Sequence, residues 1–255
     1  MGFQPDYRTE VQIYAKYILE TYPKAKIGIL YQNDDYGKDY LLGLKDALGE
    51  RVKTMLVSQQ SYEVTDPTID FQIFEMRAAG ADVVVDVTSP KFASFAIRKT
   101  AEIGWKSVHI MNYSGSSIGG ALKPTGLENA IGLISASYAM DPTDPTWSND
   151  PAMKKWAAFM DKWMTGGDKT NNLCVYAYSV AWTMIEVIRR SGDELTRANI
   201  MRQATNLQDL EVPLLLPGIR VNTSPKDYYP IKQMQLMRFT GERWEQFGSV
   251  MGSAR

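Results

Sequence analysis

The sequence predicts an α/β protein built on a doubly wound, open parallel sheet, with a helical segment appended to it. Three observations carry this. Short β-rich runs alternate with helix-periodic stretches over the first 140 or so residues, the pattern of consecutive βαβ units. One of those runs, "DVVVDVT", is almost continuously apolar, as a strand covered on both faces must be. Beyond Asp141 the alternation stops, and three helical patterns follow with no strand between them.

In order along the chain, residues 8–22 place Val11, Tyr14, Ile18 and Tyr22 at helical spacing, and "KIGILY" follows as a strand. Residues 36–48 put Tyr40, Leu41, Leu44 and Leu48 on one helical face, and "VKTMLVSQ" is the next strand. A helix is then predicted with Asp66 as N-cap, Pro67 at its first position and Gly80 as its stop. After "DVVVDVT" comes a helix over 91–103 ending at Gly104, then two strands, "SVHIMN" and "AIGLISASY". "DPTDPTWSNDP" is a turn-rich linker, and helices are expected at about 151–165, 174–190 and 196–206. The tail from "GIRVN" to "EQFGSV" reads as strands, with "TGER" as a hairpin turn.

Composition narrows the function classes. Hydrophobic residues at 44% and charged residues at 22% are those of a folded globular chain. A net charge of -1 gives no field to steer nucleic acid, so no nucleic-acid partner is expected. The single cysteine, Cys174, cannot form an intramolecular disulfide and, between Leu173 and Val175, reads as a buried small apolar residue. No apolar run approaches the ~18 residues of a membrane span, and "MGFQPDYRTE" does not read as a signal peptide.

In open α/β sheets, ligands sit outside the carboxyl ends of the strands. The segments leaving those ends include "QNDDY", "TSPK" and "NYSGSS", and Tyr36, Thr88, Ser89, Tyr113 and Ser114 are expected to share one ligand-binding rim. The same polar residues also build turns and caps.

Catalysis finds little support. "GSSIG" places Ser117 in a G-x-S-x-G nucleophile slot, but the only histidine, His109, lies upstream on a strand and reads as a satisfied strand histidine. One His and one Cys cannot build a zinc site, and Asp141, Asp144 and Asp150 lack the glycine and glutamate of a calcium loop. No dinucleotide or P-loop motif occurs. No catalytic residue, metal or cofactor is expected.

"KIGILYQNDDYGKDYLLGLKDALG", "SYEVTDPTIDFQI", "ADVVVDVTSPKFASFAIRKTAEIGW", "GDELTRANIMRQA", "LPGIRVNTSP" and "QMQLMRFTGERW" resemble the branched-chain amino acid-type substrate-binding proteins of ABC transporters, a type I periplasmic binding protein family. The resemblance runs along essentially the whole chain. It implies two α/β lobes joined by three crossings with a small-molecule ligand in the cleft, a permease as partner and a periplasmic location. It further implies that 1–137 and 217–255 form the C-terminal lobe, and that 142–215 is a helical remnant of an N-terminal lobe whose sheet is missing. The helices at 151–206 would then expose Trp, Met and Ile side chains. By the same resemblance Tyr36 covers the ligand, Ser89 faces the cleft, and Tyr113 stands where amino acid-binding members carry an acid. That substitution leaves room for aromatic or other small carboxylates as ligands. A ligand-sensing domain of the same fold is the alternative, and an α/β hydrolase a minor one.

Overall fold

The structure, a computed structural model, describes residues 2–252. Among these the chain forms two compact units, 7–136 with 234–252, and 2–6 with 137–233. Residues 217–233, read from the sequence with the sheet, belong to the helical unit. In place of a strand, "GIRVN" makes an isolated bridge between Leu210 and Val221.

The first unit runs α1 (Tyr7–Thr21), β1 (Ile27–Gln32), α2 (Asp35–Leu48), α3 (Val52–Met55), β2 (Leu56–Tyr62), α4 (Asp70–Ala78), β3 (Val83–Val87), α5 (Pro90–Glu102), β4 (Val108–Met111) and β5 (Ile134–Ser137). After an excursion through α6 (Pro151–Trp163), α7 (Asn172–Ser191) and α8 (Arg197–Ala204), it closes with β6 (Gln233–Phe239), β7 (Trp244–Gln246) and β8 (Met251–Gly252). Sheet order is β2-β1-β3-β4-β5-β6-β7, with β8 beside β6. The β1–β2, β1–β3, β3–β4 and β4–β5 pairs are parallel; β6 and β7 form the antiparallel hairpin turned at Gly241, where φ is +106°.

Two boundaries differ from expectation. "VKTMLVSQ" opens with a single helical turn, α3, so the strand begins only at Leu56. Asp66 and Pro67 do not start a helix. Asp66 accepts from the Glu63 amide and closes a turn, and α4 begins at Asp70 after Ile69, which lies buried in the core.

On one face of the sheet, Leu30 and Val84 pack against Ile73 and Met76 of α4 and Phe92 and Ala96 of α5. A second cluster joins Ala93 and Ile97 to Met111, Leu133, Phe239 and Trp244. Fully burying each Leu, Ile, Val, Met or Phe among them contributes roughly 1.5–3 kcal/mol, the driving force for docking these helices. The start of α2 lies against β1 so closely that a Cβ on Gly37 would sit 2.0 Å from the Gln32 carbonyl oxygen. Asp34 caps this turn, accepting from Gly37 N at 3.1 Å.

The second unit holds α6, α7 and α8. Asp150 caps α6 through the amides of Ala152 and Met153, with Pro151 at the first helical position, and Asn171 and Thr196 cap the other two helices. Asp141 and Asp144 accept from Thr143 and Thr146, the turn roles expected of them. Helix α7 buries a stripe of modest side chains, Val175, Ser179, Thr183, Val187 and Ser191, while Met184, Ile185 and Ile188 are exposed. On α6, Phe159 and Trp163 are exposed as well. Cys174 is half-buried, not enclosed: it lies between the buried and the exposed stripes of α7.

Candidate functional site

Strand order fixes where the first unit can bind a molecule. From β1 the chain moves outward to β2, then returns past β1 to β3 and continues the other way to β4. Right-handed crossovers running in opposite directions place α2 and α5 on opposite faces, so the loops leaving β1 and β3 turn away to opposite sides, the place where open α/β sheets take a ligand.

The expected rim residues gather at this switch point. Tyr36, in the first turn of α2, brings its hydroxyl 3.4 Å from the Thr88 carbonyl. Its ring meets Tyr7 edge-on at 5.0 Å and Tyr40 at 5.5 Å. Burial pushes the Tyr36 hydroxyl well above the usual phenol range, so it stays a neutral donor. Ser89, half-buried, precedes α5; its amide donates to the Tyr62 hydroxyl at 3.0 Å. Ser114 is exposed in the 3₁₀ turn Tyr113–Ser116 that follows β4.

Two of the five residues sit otherwise than a ligand-facing rim requires. Thr88 is fully buried, and its hydroxyl donates to Asp86 at 2.6 Å, so it supports the rim from beneath. Tyr113 is half-buried and packed on the cluster of Ala93, Ile97 and Met111.

The sequence reading missed two residues that organise this region. Asn112, 1% exposed, ends β4. Its amide nitrogen donates to the Asp86 and Thr88 carbonyls at 3.2 and 3.1 Å, while its oxygen accepts from Tyr36 Oη at 2.5 Å and Ser114 Oγ at 2.9 Å. One side chain thus ties the exits of β1, β3 and β4. Glu10, on α1, accepts from Tyr113 N at 2.7 Å and Tyr14 Oη at 2.8 Å, and burial raises its pKa above the ordinary carboxylate range. A signal for Glu10 existed: it sits four residues before Tyr14, on the stripe that buries α1.

Ser117 caps the helical turn after it by accepting from Gly120 N at 3.2 Å, and His109 is engaged by Asp86 at 2.9 Å. Among the described residues no group of three or more His, Cys, Asp or Glu could hold a metal ion, and no helix is long and apolar enough to cross a membrane.

Solved structures share this architecture. A substrate-binding periplasmic protein from Ralstonia solanacearum superposes with a TM-score of 0.81 at 19% identity, over 97% of this chain and 68% of its own. A branched chain amino acid ABC transporter protein from Thermus thermophilus, with bound valine, gives 0.80 at 14% identity, covering 99% and 67%. A leucine binding protein from Thermotoga maritima gives 0.75 at 12% identity, covering 96% and 65%. The chain therefore spans about two thirds of the length of these proteins, and its fold is that of the type I periplasmic binding proteins. The family model for periplasmic binding proteins matches residues 1–243, and the chain belongs to that family. No curated protein sequence matches it. Both family and fold are those of proteins that bind small molecules, and members of the family are periplasmic.

Proposed function

We propose that this chain is the substrate-binding component of an ABC importer, working in the periplasm with a permease, and that its ligand is an amino acid or a related small carboxylate, including aromatic ones. The observation that carries this reading is the meeting of Tyr36, Ser89 and Ser114 at the strand exits around the β1/β3 switch point, where Thr88 and Asn112 hold Tyr36 and Asn112 holds Ser114. Such a surface suits a small polar molecule with an apolar part: the ring takes the apolar portion and the hydroxyls fix orientation. The valine bound to one structural relative and the description of another as a leucine binding protein put branched-chain amino acids first among the compounds to try.

The test is a thermal-shift screen of the chain with branched-chain and other amino acids, aromatic acids and dicarboxylates. A ligand that binds only the folded state stabilises it by about 2.7 kcal/mol at a hundred times its Kd. The expected result is a rise in Tm with at least one of these classes, lost in Tyr36→Ala. No shift with any class, or a shift that Tyr36→Ala leaves untouched, would remove the reading.

A further inference from the structure

Glu10 is 5% exposed, in the first turn of α1, and reaches a residue 103 positions away. The Tyr113 amide that donates to it at 2.7 Å belongs to the first residue of the 3₁₀ turn Tyr113–Ser116, where no preceding carbonyl within the turn can serve it. Tyr14 donates to the same carboxyl oxygen at 2.8 Å, and Tyr40 adds a further side-chain hydrogen bond. A buried carboxylate surrounded by donors is costly to place unless each of them is used. Space filling alone would be met by an apolar side chain of the same length.

We propose that Glu10 is a positioning residue that suspends the Tyr113–Ser116 turn from α1 and so fixes where the exit of β4 stands. Asn112 ties this exit to Tyr36 and Thr88, and Glu10 ties the next residue to a helix outside the βα loops. The turn is thereby held from two independent directions. Its bearing on ligand binding rests on the reading above; its bearing on the turn does not.

The experiment follows the Tyr113 amide by NMR in the ligand-free chain, in Glu10→Met and in Glu10→Gln. Loss of the acceptor in Glu10→Met is expected to speed exchange of this amide by about tenfold or more, whereas Glu10→Gln, whose amide oxygen still accepts, keeps it within about threefold. The strand amides of Ile29 and Val85 keep their rates in both variants. A Tyr113 amide equally protected in Glu10→Met, or strand amides that accelerate in step with it, would overturn the proposal. Should Glu10→Met not fold, the unaltered chain decides. The Tyr113 amide nitrogen shift and the Glu10 carboxyl carbon shift are expected to titrate with one midpoint, and separate midpoints or an amide indifferent to pH would overturn it. No ligand is used, so a failed binding screen and a failed positioning role are separate outcomes.

Discussion

His109 Nε2 lies 2.9 Å from Asp86 Oδ2 across two neighbouring parallel strands, and both side chains are buried. Asp86 pairs in register with Met111, and His109 with Val84, so the contact is diagonal, with both residues on one face. The other oxygen of Asp86 accepts from Thr88. A carboxylate with no exposure survives in the sheet because both of its oxygens are engaged.

The two partners are therefore coupled, and their losses should not add. His109→Leu is expected to destabilise the chain by about 3 kcal/mol, because Asp86 is left buried without its main partner. The double variant Asp86→Leu with His109→Leu is expected to lose clearly less than the sum of the single losses. Urea unfolding of the three variants measures this, and additive losses would contradict it.

Asn112→Ala removes four hydrogen bonds from a site that water does not reach. A loss of about 2–3 kcal/mol is expected, since buried carbonyls and hydroxyls lose their partner. Tyr36 fluctuation should rise with it, read as faster ring flipping in NMR, while the β1 amides stay protected.

Glu10 makes stability depend on pH, with a sign that follows from its burial. Its folded pKa is raised above the ordinary value chiefly by desolvation, against the lowering effect of the Tyr113 amide and the Tyr14 and Tyr40 hydroxyls. The folded state then holds the proton more tightly than the unfolded one. The stability linked to Glu10 is fully present below the unfolded pKa and is lost as pH rises through the folded pKa. Relative to Glu10→Gln, the unaltered chain is expected to weaken as pH rises across that window, by at most about 1.4 kcal/mol per pH unit for one proton. Chemical denaturation at a series of pH values reads the difference, which is flat if Glu10 does not titrate differently on folding.

Gly37→Ala is expected to cost about 1–3 kcal/mol, the range for overpacking, because a Cβ would meet the Gln32 carbonyl and the start of α2 must move off β1. Gly49→Ala has open space within 4 Å but φ of +55° with ψ of -132°, a combination outside the left-handed helical well, and should cost about 1–3 kcal/mol through backbone strain alone. Thermal melts of the two variants measure both losses.

The sheet and most helix boundaries were legible because they rest on local pattern. "VVVDV", short and rich in β-branched residues, reads as a strand buried on both sides and is one, and Gly104, with φ of +60°, ends α5 where the sequence placed its stop. Val52–Met55 misled because Val52 and Thr54 favour strands and the segment runs straight into Leu56; the turn of helix there is a tertiary decision. That Tyr36, Ser89 and Ser114 stand together at strand exits was legible as loop composition. The place of Thr88 was not: it turns inward because Asp86 needs a donor, and that need becomes visible only once β3 lies beside β4. Asn112 reads as any turn-forming asparagine until the β1 and β3 exits arrive next to it.

The Asn112 knot has a kinetic consequence. Side chains already held by one another have little rotamer freedom left to surrender, so a ligand docking on Tyr36 and Ser114, as proposed, would meet side chains that need little reordering. Arrival rates should then be much the same for compounds of similar size and charge. Discrimination among them would lie in residence time, each ligand leaving at a pace set by how well it matches the three strand exits that Asn112 ties together.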